Sequence, residues 1–293
     1  RISRSTMFGC NCCCVSTLIY GVGLFVVLTK IFKVVMKFIN KNKPVELQVK
    51  EYKKDVVYLV QFQGNDKVSS LSPFCAKVEA YLRLHEIPFE RVNTFSARGR
   101  NGKLPMIELN GEQIADSHLI VRRLAHKFNI EEFSDARTAA TAHAVDRFVD
   151  NHTCKLVVYN KASHMAPVIA EMLPEKVPPF LRPIIASLLG SISKCMILKR
   201  LNDSGKFSDA EYNELLRNDL IQLKAILGEQ KFFFGDKPTV VDCTAFAQIA
   251  TVFYVVPKNA CYLSELLNSE EFKPLLDWLE RTKETIFKDQ FHI

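Results

Sequence analysis

Two helix starts carry the side chains best suited to chemistry. Ser72-Pro73-Phe74-Cys75 places a hydroxyl at the head of one helical stretch and a thiol three residues on, and Asp116-Ser117 places a carboxylate and a hydroxyl at the head of another. Backbone amides at a helix start are unpaired donors, and the helix dipole favours negative charge there. A side-chain oxygen at that point either caps the amides or joins them in holding a ligand. Ser72 followed by Pro73 fits an N-cap with proline at the first helical position, so capping stands beside any chemical role. Cys75 has no second thiol at Ser72 with which to exchange, and it reads as a buried, inert thiol on the inward side beside Val78 and Tyr81.

The remaining reactive side chains are less specific. Cys10, Cys12, Cys13 and Cys14 are suited to acylation near a membrane or to a soft metal bound through thiolates, but their crowding does not match a CxxC...CxxC zinc framework. Cys154, Cys195, Cys243 and Cys261 are scattered singly, and the odd total of 9 cysteines points to a reducing compartment without a complete disulfide scaffold. His118 lies too close to Asp116 to define a metal site with it, and His143, His152 and His164 show no HExxH arrangement. No metal is expected from these spacings.

The elements that must position these groups follow from periodicity. Val56 to Phe62 is strand-like and turns through Gly64-Asn65-Asp66. From Pro73 the apolar residues Phe74, Val78, Tyr81 and Leu82 recur at helical spacing, leaving Lys77, Glu79 and Arg83 to face out. Pro88 to Val92 is a second strand. Met106 to Leu109 and Glu112 to Ala115 form a hairpin across Asn110-Gly111, and a helix runs from Asp116-Ser117 to about Phe128. Beyond Glu131 the pattern is helical over about 135–165, 180–203, 208–228, 239–256 and 270–288, punctuated by Pro174, Pro178-Pro179, Gly205 and Gly235. Thr239-Val240-Val241-Asp242 is a capping box at the head of a very apolar helix.

At 293 residues with 48% hydrophobic residues and 11 Gly, the chain has ample material for a packed core, which excludes collagenous and wholly disordered classes. The formal charge of +7 sits entirely in residues 1–50, so the body is balanced and offers no basic field to a polyanion; nucleic-acid binding is set aside. Residues 9–29 carry no charge over 21 positions and are long enough to span a bilayer. Lys30, Lys33, Lys37, Lys41 and Lys43 follow, which by the positive-inside bias puts the C-terminal body in the cytosol. A targeting segment, a buried helix and a helix lying along a membrane surface are the competing readings. Asn151-His152-Thr153 and Asn202-Asp203-Ser204 match glycosylation acceptors, and modification of either would reverse that topology.

The ordered set of Ser72-Pro73-Phe74-Cys75, Leu104-Pro105, Asp116-Ser117 and Gly235-Asp236-Lys237-Pro238-Thr239-Val240-Val241-Asp242 resembles the glutathione transferase fold over roughly residues 55–290. In more detail SLSPFCAKVEAYLRLHEIPFE and GKLPMIELNGEQIADSHLIVRRL resemble the failed-axon-connections and metaxin-like branch, and within it the nematode cadmium-inducible lysosomal proteins. The resemblance implies an α/β thioredoxin-like N-terminal domain followed by an all-α transferase-like C-terminal domain, preceded by the transmembrane helix. The domains expected are 1–50 (anchor and basic connector), 51–130 (thioredoxin-like) and 131–293 (all-helical).

It further implies that Leu104-Pro105 carries a cis peptide and shows backbone polar groups to a bound thiol peptide, that Asp116 and Ser117 meet the γ-glutamyl carboxylate, and that Ser72 is the catalytic hydroxyl that stabilises a glutathione thiolate. One departure stands out. Between the second strand and Leu104 the chain has a short basic loop with Arg98, Arg100 and Lys103, where many transferases have a longer interval that helps to hold the tripeptide. Two functions follow as expectations. The first is a membrane-anchored glutathione-dependent transferase in cadmium or xenobiotic stress, at a lysosomal membrane. The second is an inactive transferase-like adaptor that binds a protein partner at a membrane. A homodimer is left open.

Overall fold

The computed structural model describes residues 47–94, 96–162, 164–173, 177–201, 207–258, 260–288 and 290–291. Residues 9–29, the cysteine cluster at 10–14 and the acceptor Asn202 lie outside them. Among the described residues no helix is long and apolar enough to cross a membrane.

The unbroken apolar run that begins at Val57 is a strand buried along its whole length. This is β1 (Val57–Gln61), which lies inside a four-stranded sheet of order β2-β1-β3-β4. It pairs in parallel with β2 (Phe89–Asn93) and antiparallel with β3 (Met106–Leu109), and β3 pairs antiparallel with β4 (Glu112–Ala115). Parallel pairing of β1 and β2 requires a crossover, supplied by α1 (Pro73–Leu84). The β3–β4 hairpin turns at Asn110 (φ 51°) and Gly111 (φ 81°), two consecutive left-handed residues that asparagine and glycine tolerate best. α2 (Ser117–Lys127) completes this half.

The rest is helical. α3 (Ala136–Phe148) passes through a π-helical segment, Val149–Thr153, into α4 (Cys154–Ala162). Then come α5 (Met165–Met172), α6 (Arg182–Leu201), α7 (Asp209–Leu227), α8 (Val240–Phe253), α9 (Tyr262–Leu267), a 3-10 turn at Glu270–Phe272 and α10 (Lys273–Phe287). The periodic stretch at 135–165 is thus broken by the π segment, and α5 and α9, of eight and six residues, are too short to produce a readable period.

α8 is apolar on every side and is buried from Val241 to Val252, which makes it the central helix. The carboxylate of Asp242 in its first turn accepts from Thr239 N at 2.9 Å, Phe233 N at 3.0 Å and the indole Nε1 of Trp278 at 2.9 Å. The capping box read from the sequence therefore also ties α10 to α8.

The outward placement of Lys77 and Glu79 is corrected. α1 packs between the sheet half and α8, so it has no free polar face, and both side chains are 0% exposed. Each is neutralised within the fold. Lys77 Nζ lies 3.1 Å from Asp146 Oδ1 and 3.5 Å from Asp150 Oδ2, while Glu79 accepts from Arg83 Nε at 2.8 Å and from Arg91.

Candidate functional site

Four separate stretches of chain converge on one small apolar cluster. Val60 of β1, Cys75 of α1, Leu104 and Met106 on either side of Pro105, and Ala115 before Asp116 are all buried against one another. The ladder forces this meeting, because Met106 pairs with both Val60 and Ala115. The Ser72 helix start, the Leu104-Pro105 peptide, which is cis, and the Asp116-Ser117 helix start therefore rim a common patch.

Ser72 is the N-cap residue of α1 by position, with Pro73 in the first turn, yet its side chain makes no cap hydrogen bond. The residue is half-buried, and its hydroxyl is turned to the Cys75 thiol rather than to the helix amides. The loop that presents it is held from below. Ser70 Oγ donates to the Phe62 carbonyl at 2.8 Å and accepts from Ser72 N at 3.3 Å, Gln61 Nε2 donates to the Ser69 carbonyl at 3.3 Å, and Asn65 Oδ1 accepts from Lys67 N and Val68 N at 3.1 Å each. A Cβ on Gly64 would overlap the backbone of Val68 and Ser69, so only glycine fits this loop. Beneath it, Cys75 is fully buried. Burial pushes its thiol pKa up, with Ser72, the Phe62 backbone and Ser70 opposing the rise, which makes it a poor nucleophile.

Asp116 caps α2, its Oδ1 accepting from His118 N at 3.1 Å and Leu119 N at 3.2 Å. It does so from φ 86°, a conformation that costs a non-glycine residue on the order of 1–3 kcal/mol and that clusters at functional sites. Ser117 follows, buried, and His118 Nδ1 lies 3.7 Å from Asp146 Oδ2. Burial, then the Arg147 and Lys77 charges, lower the His118 pKa, so the imidazole is neutral near pH 7.

The shortened interval before Leu104 is a tight turn: Gly99 N donates to the Lys103 carbonyl at 3.0 Å and Gly102 N to the Gly99 carbonyl at 2.8 Å. Gly99 lies so close to Ala115 that a Cβ would sit 2.8 Å from it, so the loop is packed onto the rim of the cluster. Arg98, Arg100 and Lys103 are exposed, as a solvated loop requires, and Arg98 stacks over the Phe62 ring at 5.0 Å. The periodicity gave no sign of Lys161 on α4. Its Nζ crosses to the Leu71 carbonyl, at 2.8 Å, and burial pushes its pKa down to about 7. Lysine on a helix ordinarily reads as solvated, which is why this one is invisible to pattern. A cleft of about 1210 Å³ lies elsewhere, at the C-terminal end of α1 among Arg83, His85, Phe89, Glu132, Lys237 and Phe287.

A sheet of this order with an α-helical half behind it has known counterparts. The glutathione S-transferase N-terminal domain family matches residues 73–166, and the glutathione S-transferase C-terminal domain family matches residues 216–282. Failed axon connections of Drosophila melanogaster is 31% identical over 252 residues, which is 81% of this chain and 60% of that protein. The chain has the glutathione transferase fold and is related to Failed axon connections. It spans 60% of that relative's length.

Solved transferase-fold structures agree. The beta-etherase LigF of Sphingobium sp. strain SYK-6 superposes with a TM-score of 0.57 at 16% identity, over 80% of this chain and 98% of the other. A glutathione S-transferase of Ceriporiopsis subvermispora, solved in complex with glutathione, gives 0.51 at 18% identity over 81% and 98%. At such identities these likenesses speak for the fold. They also correct the expected localisation as a single-pass protein of the lysosomal membrane with a cytosolic body. The chain matches these transferase-fold structures over nearly their whole length without a membrane-spanning element in common, and among the described residues no helix could cross a bilayer. Nothing in the matches singles out the cadmium-inducible lysosomal group; the kinship supported is the broader one.

Proposed function

We propose that the chain binds glutathione at the junction of Ser72, Leu104-Pro105 and Asp116-Ser117 and holds its thiol for reaction. The observation that carries this reading is the convergence of these three stretches on the Val60–Cys75–Met106–Ala115 cluster, with the Ser72 hydroxyl at the helix start making no cap hydrogen bond. The N-terminus of α2 offers a favourable dipole and Ser117 to the γ-glutamyl carboxylate, and the Asp116 carboxylate suits the γ-glutamyl ammonium. The Ser72 hydroxyl donates to the sulfur, and with the amides of the α1 start it stabilises the thiolate. Arg98, over Phe62, stands at the rim for the second carboxylate. Transfer of the thiolate to electrophiles, and a part in cadmium or xenobiotic stress, are narrower assignments that rest on the sequence resemblance.

Calorimetric titration of the full chain and two variants tests the site. Asp116→Ala is expected to weaken glutathione binding about tenfold, the worth of a charge-assisted contact to the γ-glutamyl ammonium, while Ser72→Ala binds within about threefold and loses the thiolate. Equal binding and equal thiolate content in all three proteins would contradict the assignment.

A second reading, a transferase-like adaptor without catalysis, is favoured by one feature. In the stretch between the two family matches, α6 and the turn before it expose Phe180 (71%), Ile184, Leu188 and Ile192. An apolar row of this kind on a surface suits a protein partner. Glutathione binding by the full chain decides against this reading as the sole function.

A further inference from the structure

Resting on the glutathione reading above, we propose that Lys161 is a positioning residue of the thiol site: its ammonium reaches from the helical half to the Leu71 carbonyl, fixes the loop that presents Ser72, and sets a positive charge one peptide away from the hydroxyl. The hydrogen bonds described above for this loop otherwise come from the sheet half, through Gln61, Phe62, Asn65 and Ser70. Lys161 is the tie from the other side, at 2.8 Å. Its bond continues as a chain, because the Leu71 carbonyl belongs to the peptide whose N–H donates to Ser70 Oγ, which in turn donates to the Phe62 carbonyl. Polarisation along such a chain strengthens each member.

No carboxylate neutralises this lysine among the described residues, and the acids of the elements around α4 are engaged elsewhere or, like Glu214 of α7, exposed. Asp150 in the π segment pairs with Lys77 and Arg147, Asp219 of α7 with His152 and Thr153, Asp209 of α7 with Tyr159, and Asp242 of α8 with Trp278 and the Thr239 amide. α6 brings Lys194 and Lys199, which are exposed, and α9 brings the exposed Glu265. A buried cation without a counter-ion is costly, and burial alone drives its pKa down. A thiolate formed beside Ser72 would supply the missing negative charge. In that step the S–H bond breaks, the electron pair stays on sulfur and the proton passes to bulk water; Lys161 only stabilises the anion.

The test uses the full chain, with the thiol pKa of bound glutathione read from thiolate ultraviolet absorbance. Lys161→Met is expected to raise that pKa by about one unit, a tenfold loss of thiolate at fixed pH, with affinity within about threefold of the parent, and Lys161→Arg to restore most of it. A parent-like thiol pKa in Lys161→Met that is bound and folded overturns the role of Lys161 while leaving the glutathione reading intact. Absence of binding in the parent removes both. A measurement without any variant guards against misfolding: the Lys161 Nζ 15N shift should titrate at a higher pH when glutathione saturates the chain, and an unchanged midpoint overturns the proposal.

Discussion

Asp116 is asked to do two things, and they separate energetically. Its carboxylate caps α2 through the amides of His118 and Leu119, and removing that cap costs about 1 kcal/mol. Asp116→Asn keeps a capping oxygen and loses the charge, so it is expected to unfold at nearly the parent denaturant midpoint, whereas Asp116→Ala unfolds earlier. Equal midpoints for all three would show that the cap does not hold α2. Lys161 gives a second residue-scale expectation. Its pKa falls from 10.5 to about 7 on folding, so between those values the unfolded chain binds the extra proton and stability rises with pH, levelling below about 7. The parent should therefore gain stability relative to Lys161→Met between about pH 7 and pH 10, measured by denaturant midpoints; parallel curves would contradict a buried, unpaired lysine. Ser72 and Asp116 were legible because helix starts have a residue vocabulary. Lys161 was not, since nothing in a sequence distinguishes a lysine that points to a carbonyl across the fold from one that points to water.

The loop between β1 and α1 is the element on which the site depends. Gly64 lies against the backbone of Val68 and Ser69, which cannot retreat as a flexible side chain would. Gly64→Ala is expected to reshape this loop and lower stability by about 2 kcal/mol or more, with loss of glutathione binding, as followed by thermal unfolding and titration. A stable, binding Gly64→Ala protein would show that the loop adapts freely. Elements whose signal is local were read correctly: the Asn110-Gly111 turn, the Ser72-Pro73 start and the Thr239–Asp242 box each identify themselves within four residues. The π break after Phe148 and the short α5 and α9 were missed, because they depend on packing rather than on a period.

At the scale of the whole molecule, the two halves are joined by a buried charge cluster. Lys77 on α1 meets Asp146 and Asp150 from the α3 end, with Thr244 and Gln248 of α8 completing the hydrogen bonds. Lys77→Met would leave the two buried carboxylates with only the partly exposed Arg147 as a fixed counter-ion and is expected to cost roughly 3–5 kcal/mol in denaturant unfolding; a loss under about 1 kcal/mol would mean that the cluster does not bind the halves together. This joint escaped sequence reasoning because Lys77 sits at a position that helical periodicity assigns to solvent. Only the presence of α8 on that side turns the surface of α1 into an interior.

Whether the rimmed patch receives glutathione is tested most directly by residue-resolved amide chemical-shift mapping of the full chain as glutathione is added. Saturable shifts are expected at Ser72 to Cys75, Met106 and Asp116 to His118, with the cleft lined by Arg83 and Lys237 unaffected. No shifts up to millimolar glutathione, or shifts confined to that cleft, would contradict the assignment.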